Sequence, residues 1–375
     1  MHFLIPTVLL VALQQSLTLA FIPLIRSGQY QVAYWPFVYV FLGLVTVLPL
    51  LIAKRLEPYS VRTCACWSLL LLIAFEMLLG AFEDPWLQYG LRIAEALPAS
   101  MLSVFGRVYM ARSASDATIA KAMPVVIACT SIAPFAAPLL GQALASRFGP
   151  LSVHVFMAGL ACLSLAAVCC WWSSDRSISA PKPTATRMTE RTIIVFIALA
   201  ALVSSFEHLY VSDMTLVISQ HYDKSVLIWF LYAGEAGILL GSVVLFMGLK
   251  FSALRSFSAL AVFSCSMFVL LNAYDLFAAL LLTTTLICFL LGIGYGALNA
   301  RIVSLAREKP YFWSSLASFF AGTGIFVFSY FLEQRSNKAY PVLIEIVAYG
   351  TAAALFVSFF YWQLAQRYRG TTITR

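Results

Sequence analysis

SSDRSISAPKPTATRMTER, residues 173–191, interrupts a chain that is otherwise apolar from end to end. The stretch is rich in Ser, Pro, Thr and basic residues and has no apolar periodicity. It reads as a flexible connection rather than as a helix or a strand. Long apolar runs lie on both sides of it, and its position decides how they are grouped.

The 375 residues are 62% hydrophobic and 11% charged, with a mean hydropathy of +0.89. A water-soluble domain has no use for that much apolar surface, so the class is an all-α membrane protein with many spans. A β-barrel would show alternating strands of about ten residues, and none occur. A helix needs about 20 apolar residues to cross roughly 30 Å of hydrocarbon. Twelve segments meet that length: 3–25, 30–53, 62–82, 86–110, 118–145, 151–172, 192–219, 226–249, 253–273, 276–300, 311–332 and 340–365. The connection at 173–191 splits them six and six. The predicted organisation is an N-terminal half (1–172), a cytoplasmic linker (173–191), and a C-terminal half (192–375) ending in a short cytoplasmic tail. Two six-helix halves joined in this way are the architecture of a transporter built from repeats, with its substrate site between the halves.

The formal net charge of +8 is topological. With twelve spans, 18 of the 24 Lys and Arg residues fall on one side, among them Lys54, Arg55, Arg62, Arg107, Arg112, Arg307 and Lys309. Five fall on the other, and Arg92 lies inside a span. The positive-inside rule makes the richer side cytoplasmic and places both termini there. The first segment, MHFLIPTVLLVALQQSLTLAFIPLIR, lacks a basic leader and has an apolar core of about 20 residues, so it reads as a retained helix rather than a signal peptide. The eight cysteines all fall inside spans and read as small packing residues, with neither zinc spacing nor a disulfide framework.

Charged residues inside spans are the functional candidates, because lipid penalises them. RIAEALPAS, residues 92–100, puts Arg92 and Glu95 one helical turn apart on a shared face. Two roles follow. The pair neutralises itself and fixes packing, or Arg92 tunes Glu95 or holds a substrate anion while Glu95 cycles a proton. LVSSFEHLYVSDM places Glu207 in mid-span with Tyr210 on its face, His208 turned aside and Asp213 toward the outer end. The first span has no acid, and its polar centre is Gln14, Gln15 and Thr18. Glu95 and Glu207 are therefore the expected proton-coupling residues. Arg92, Gln14, Gln15, Tyr210 and Glu235 are the expected substrate contacts. Glu76 and Glu345 fall near outer span ends, where a structural role or a reach to the headgroups is expected. In FLYAGEAGILLG, Gly234, Gly237 and Gly241 have the spacing of a close helix contact. GIGYGALNA (292–300) lacks the Lys-Ser/Thr of a phosphate loop, and its glycines read as packing or bending positions. Tryptophans near span ends (35, 86, 171, 172, 229, 313 and 362) read as interfacial anchors, and Phe105 as a possible lining residue of an apolar cavity.

Three local patterns resemble the major facilitator superfamily, and within it the drug:proton antiporter branch. The fourth span of that family carries an Arg followed four residues later by Gly; here Arg92 is followed by Ala96. The antiporter run Gly-Pro-x-x-Gly-Gly in the fifth span resembles SIAPFAAPLLGQA, with Pro138 and Gly141 in place and Ala133, Ala137 and Gln142 where glycines are usual. The loop after the second span, LLIAKRLEPYSVRT, keeps Arg55 and Arg62 but has Lys54 at the aspartate position and Glu57 at a glycine position. The resemblance thus implies a weakened latch between the loop acid and a helix end. It implies conformational roles for Pro138, Gly141, Arg55 and Arg62. It also implies alternating access driven by an ion gradient: export of a small organic molecule in exchange for protons, by a monomer in a bacterial inner membrane. Import or symport by the same fold is the alternative, and a non-transporting scaffold or receptor is a more distant one. No enzyme activity, cofactor, metal or nucleic-acid partner is expected.

Overall fold

A computed structural model of the chain describes residues 34–82, 84–172, 190–201, 203–204, 224–247 and 277–335. Among these the regular structure is helical throughout. Tyr34–Leu56 (α1), Val61–Ala81 (α2), Pro85–Ser113 (α3), Asp116–Phe148 (α4) and Leu151–Trp171 (α5) follow one another through short connections. Residues 190–201 are helical. Lys224–Phe246 (α6), Phe277–Leu305 (α7), a single 3-10 turn at Ala306–Glu308 and Pro310–Arg335 (α8) complete the set. Eight predicted spans coincide with α1–α8 to within about five residues, the boundary error expected of hydropathy reading. The spans predicted at 3–25, 253–273 and 340–365 lie outside the described residues, as do the linker up to residue 189 and most of the span at 192–219.

Local chemistry sets the helix ends. Asp84 accepts the Leu87 N–H at 2.8 Å, and Pro85 follows at the first helical position of α3. Ser115 caps α4 by accepting the Thr118 N–H at 3.3 Å. Gly149, at φ 84°, ends α4 in a backbone conformation that side chains disfavour, and α5 starts two residues later. Pro49 lies inside α1 and Pro98 inside α3.

The chain forms two compact units. The first gathers Met1–Ala122, Cys129–Ile194 and Ile302–Gly322; the second gathers Met123–Ala128, Val195–Arg301 and Thr323–Arg375. In the first unit α2 packs against α5 and α3, and α3 packs also against α1. Leu69, Leu72, Phe105 and Met110 are buried there. The outward faces are equally apolar: α2 exposes Trp67, Leu70, Leu71, Met77 and Leu78, and α5 exposes Leu151, Val155, Phe156 and Leu163. Apolar side chains on both the inner and outer faces are what lipid requires of a helix, whereas water would select polar residues outside. Four described helical stretches, Val61–Ala81, Leu151–Trp171, Trp229–Phe246 and Thr284–Glu308, are by length and composition able to cross a membrane.

In the second unit the predicted glycine contact is present. A Cβ on Gly237 would strike the Thr285 carbonyl and would lie 2.9 Å from Cys288 Cβ; one on Gly241 would strike the Phe289 carbonyl. From the opposite helix, a Cβ on Gly292 would come within 2.8 Å of the Ile238 carbonyl oxygen. The backbones of α6 and α7 therefore touch, which larger side chains would prevent.

The tryptophans divide. Trp86, Trp171 and Trp229 are exposed, as anchors should be. Trp172 and Trp313 are buried and are not interfacial anchors. Trp172 stacks on Tyr109 with ring centroids 4.1 Å apart and planes 1° from parallel, so the ring contact wins over the headgroup.

Candidate functional site

Arg92 and Glu95 meet as their spacing predicts. Arg92 Nη1 donates to Glu95 Oε2 at 2.8 Å, and Glu95 is 0% exposed. Neither partner stands alone. The same Nη1 lies 3.4 Å from Glu76 Oε1 on α2. The other oxygen of Glu76, Oε2, lies 2.8 Å from His154 Nδ1 on α5. Four ionisable side chains from three helices thus form one chain: His154, Glu76, Arg92, Glu95. Glu76 is 2% exposed and His154 5%. The second oxygen of Glu95, Oε1, is buried and has no hydrogen-bond partner.

The backbone makes this meeting possible. Glycine at position 80, one turn beyond Glu76, leaves room for α5: a Cβ there would stand 2.7 Å from Leu151 Cδ1 and 3.4 Å from His154 Cβ. Gln88, one turn before Arg92, donates its amide to the Leu79 carbonyl at 3.4 Å and to the Phe82 carbonyl, tying α3 to the end of α2. These polar groups face inward between the helices while the outer faces of α2 and α5 stay apolar. That is how a lipid-spanning chain accommodates charge.

For Glu76 the sequence left a structural role or a reach toward the headgroups; it is buried and bonded to two helices, which fits the first and not the second. Headgroup access requires the residue to point outward, and the α2–α5 contact turns this face in. His154 went unnoticed in the sequence because it sits alone in an apolar run; only the packing supplies its partner. The remaining site predictions are scattered. Glu235 lies half-buried on α6 in the second unit. Gly141 is half-buried on α4, and Pro138 lies within the same helix. Gln14, Gln15, Glu207, His208, Tyr210, Asp213 and Glu345 lie outside the described residues.

A second cluster occupies the far end of α3, still within the first unit. Glu57, in the turn after α1, accepts the Phe312 N–H at 3.1 Å in the first turn of α8. Arg112, in the last turn of α3, lies 3.5 Å from Glu57 Oε2 and donates to the Glu57 carbonyl at 3.0 Å and the Tyr59 carbonyl at 3.2 Å. Its guanidinium also lies 5.1 Å from the centre of the Tyr311 ring. Phe105 meets that ring edge-on at 6.0 Å, so it is a packing residue of this contact. Arg307 bonds Asp116 at 2.7 Å and the Ala114 carbonyl at 3.0 Å, and Arg107 reaches Ser318 at 3.2 Å. An acid from this loop does reach a helix end, but from position 57, three residues after the aspartate position of the loop pattern. Glu57 satisfies a free N–H at a helix N-terminus, where a carboxylate is favoured by the helix dipole. Of the expected basic latch residues, Arg62 instead donates to the Cys169 carbonyl, and Arg55 is exposed at the end of α1. Burial pushes the Glu57 carboxyl above the usual glutamate range, against the opposing pull of the Phe312 and Tyr311 amides, Arg112 and Lys309.

Among the described residues no group of His, Cys, Asp and Glu has the arrangement to hold a metal ion. The eighth cysteine, Cys265, lies outside them; the other seven are free thiols.

The fold is shared with solved transporters. A bacterial homologue of the iron transporter ferroportin, in an outward-facing state, is similar over 97% of this chain and 99% of its own, with TM-score 0.67 and 14% identity. The transporter FucP in its outward conformation is similar over 96% and 99%, with TM-score 0.69 and 11% identity. The E. coli fucose:proton symporter FucP is similar over 96% and 98%, with TM-score 0.71 and 11% identity. No curated protein matches the chain. The sequence model of the Major Facilitator Superfamily matches residues 4–309. The chain belongs to the major facilitator superfamily and is a membrane transporter of that fold.

Proposed function

We propose that this chain exports a small organic molecule in exchange for protons, by alternating access, with Glu95 as a proton-coupling residue. The observation that carries the reading is the buried chain of ionisable groups around Arg92. Two carboxylates, a guanidinium and an imidazole are held away from water inside a lipid-spanning unit. A packing role could be filled by apolar side chains at lower cost, whereas proton exchange requires such groups. Arg92 Nη1 already faces both Glu76 and Glu95, which favours a role in tuning these carboxylates over one in holding a substrate anion. Glu207, Gln14, Gln15, Tyr210 and Glu235 complete the proposed proton and substrate contacts. Pro138 and Gly141 would shape the movement of α4, and Glu57 with Arg112 would hold the end of α3 to the start of α8 in one conformation. The setting is a bacterial inner membrane, with both termini cytoplasmic and the protein acting as a monomer.

The test uses inside-out vesicles carrying an acid-inside gradient reported by a quenched dye. Cationic, anionic and neutral small molecules are added in turn. Recovery of fluorescence with one compound class, lost in Glu95→Gln, is the expected result. Substrate-dependent uptake that dissipates an opposite gradient would reassign the chain to symport. Transport of a compound with no proton movement would remove the coupling.

A further inference from the structure

We propose that Glu76, Arg92, Glu95 and His154 form one proton-holding site, with His154 carrying its proton at rest. For its role in transport this rests on the proton-coupled reading above; the protonation itself stands independently of that reading.

The argument starts from charge. Arg92 contributes one positive charge, and Glu76 and Glu95 one negative charge each when ionised. With a neutral His154 the cluster carries a net charge of −1 among buried side chains. An imidazolium at His154 brings the sum to zero. Uncompensated charge in a low-dielectric interior is strongly disfavoured, so the set holds one proton beyond that of Arg92, and the contacts favour His154 as its resting place.

The distances agree with that charge assignment. Two contacts are short and equal: His154 to Glu76 and Arg92 to Glu95, each at 2.8 Å. The contact joining them, Arg92 to Glu76, is 3.4 Å. Each carboxylate thus has its own close cation, as two paired ions would. In the short contact His154 Nδ1 donates to Glu76, and a charged imidazolium makes a stronger bond of this kind to a carboxylate than a neutral ring does.

The proton also has a second place to go. Glu95 Oε1 is buried without a partner, so protonation of Glu95 breaks no bond at that atom. A proton leaving His154 for Glu95 keeps the set neutral while freeing Arg92 to turn fully to Glu76. The site therefore links the position of one proton to the contacts among α2, α3 and α5. Among the described residues of the helices packed here, no further charged group stands at this level. α2 and α5 bring no further carboxylate or basic residue at this level, Gln88 is neutral, and α1, which packs on α3, carries Tyr34 and Tyr39 and has its charges, Lys54 and Arg55, at its far turn.

The test is pH-difference infrared spectroscopy of the purified protein in lipid with isotope-labelled histidine. The four histidines are His2, His154, His208 and His221. At neutral pH the wild type should show an imidazolium component that is missing from His154→Asn. That component should also be lost in Glu76→Gln and in Glu95→Gln, each of which removes one negative charge and leaves His154 in place. Loss in Glu95→Gln separates a shared site from a simple His154–Glu76 bond, because the Glu95 contact is to Arg92. Superimposable spectra of wild type and His154→Asn would overturn the proposal, and so would an imidazolium component that survives in Glu95→Gln. If His154→Asn does not fold, the glutamine variants alone decide it against the wild type. In vesicles, failure of every compound to move protons would remove the coupling role and leave the infrared result intact.

Discussion

Helix α3 carries two arginines, Arg92 and Arg112, each bonded to a glutamate, in two environments. They are 20 positions apart, about 30 Å along a helix. Arg92 lies two turns inside the start of the helix, where Glu76 and Glu95 are almost wholly buried. Arg112 lies at the helix end, where its side chain is 20% exposed and that of Glu57 24%. Arg112 also has two carbonyls and a tyrosine ring to replace or supplement its acid. Arg92 has only carboxylates among its described partners. The same chemical pair is therefore an obligation in one place and an adjustable contact in the other. The difference lies in how much water and how many neutral partners remain when the pair is broken.

The comparison breaks most directly by removing each arginine. Arg92→Met leaves Glu76 and Glu95 buried with only His154 to balance them. Removal of one partner from a buried ion pair costs about 3–5 kcal/mol, so a large drop in the thermal unfolding midpoint of purified protein is expected. The double variant Arg92→Met/Glu95→Gln restores neutrality with His154 charged and should recover the greater part of that loss. A midpoint for Arg92→Met equal to wild type would mean that this cluster is hydrated and behaves like the helix end.

Arg112→Ala should be milder. It removes a partly exposed ion pair, two carbonyl bonds and a ring contact, and a loss of about 1 kcal/mol is expected. Its clearer effect should be on function: a cysteine placed near the start of α8 should react faster with a water-soluble thiol reagent once this contact is gone. An unchanged labelling rate, with Arg92→Met destabilising as expected, would confine the importance of α3 to its buried arginine.

These two sites differ in how readable they were in the sequence. Hydropathy located α1–α8 because lipid forces long apolar runs, and the i,i+3 spacing located Arg92 and Glu95 because both lie on one helix. Glu76 and His154 are 78 residues apart and join only because glycine at position 80 lets α2 and α5 approach. No local pattern encodes that meeting. The latch was obscured differently. The loop's acid stands three residues from its usual place, and only the turn between α1 and α2 reveals that Glu57 reaches the Phe312 amide. Trp172 and Trp313 were misread for the same reason: position near a span end is a one-dimensional property, and burial is not.

The smallest expected effect concerns the pH dependence of the latch. An unperturbed glutamate titrates at about 4.3. Burial holds the Glu57 carboxyl above its ordinary value in the folded protein, outweighing the Phe312 amide and Arg112. A raised value means that Glu57 favours the folded state while protonated, fully so below its unfolded value, and that this contribution is lost as pH rises through the folded value. Glutamine at position 57 has no such loss. The difference in unfolding midpoint, Glu57→Gln minus wild type, should therefore grow more positive from acid toward neutral pH, while other titrating groups cancel in the subtraction. A difference that moves the other way would make the ionised carboxylate a net stabiliser and the latch a firm one. The expected sign describes a contact held under slight electrostatic disadvantage. Opening returns Glu57 to water and relieves that disadvantage, so release of α8 from α3 is eased at neutral pH, whereas the buried cluster around Arg92 gains nothing by coming apart.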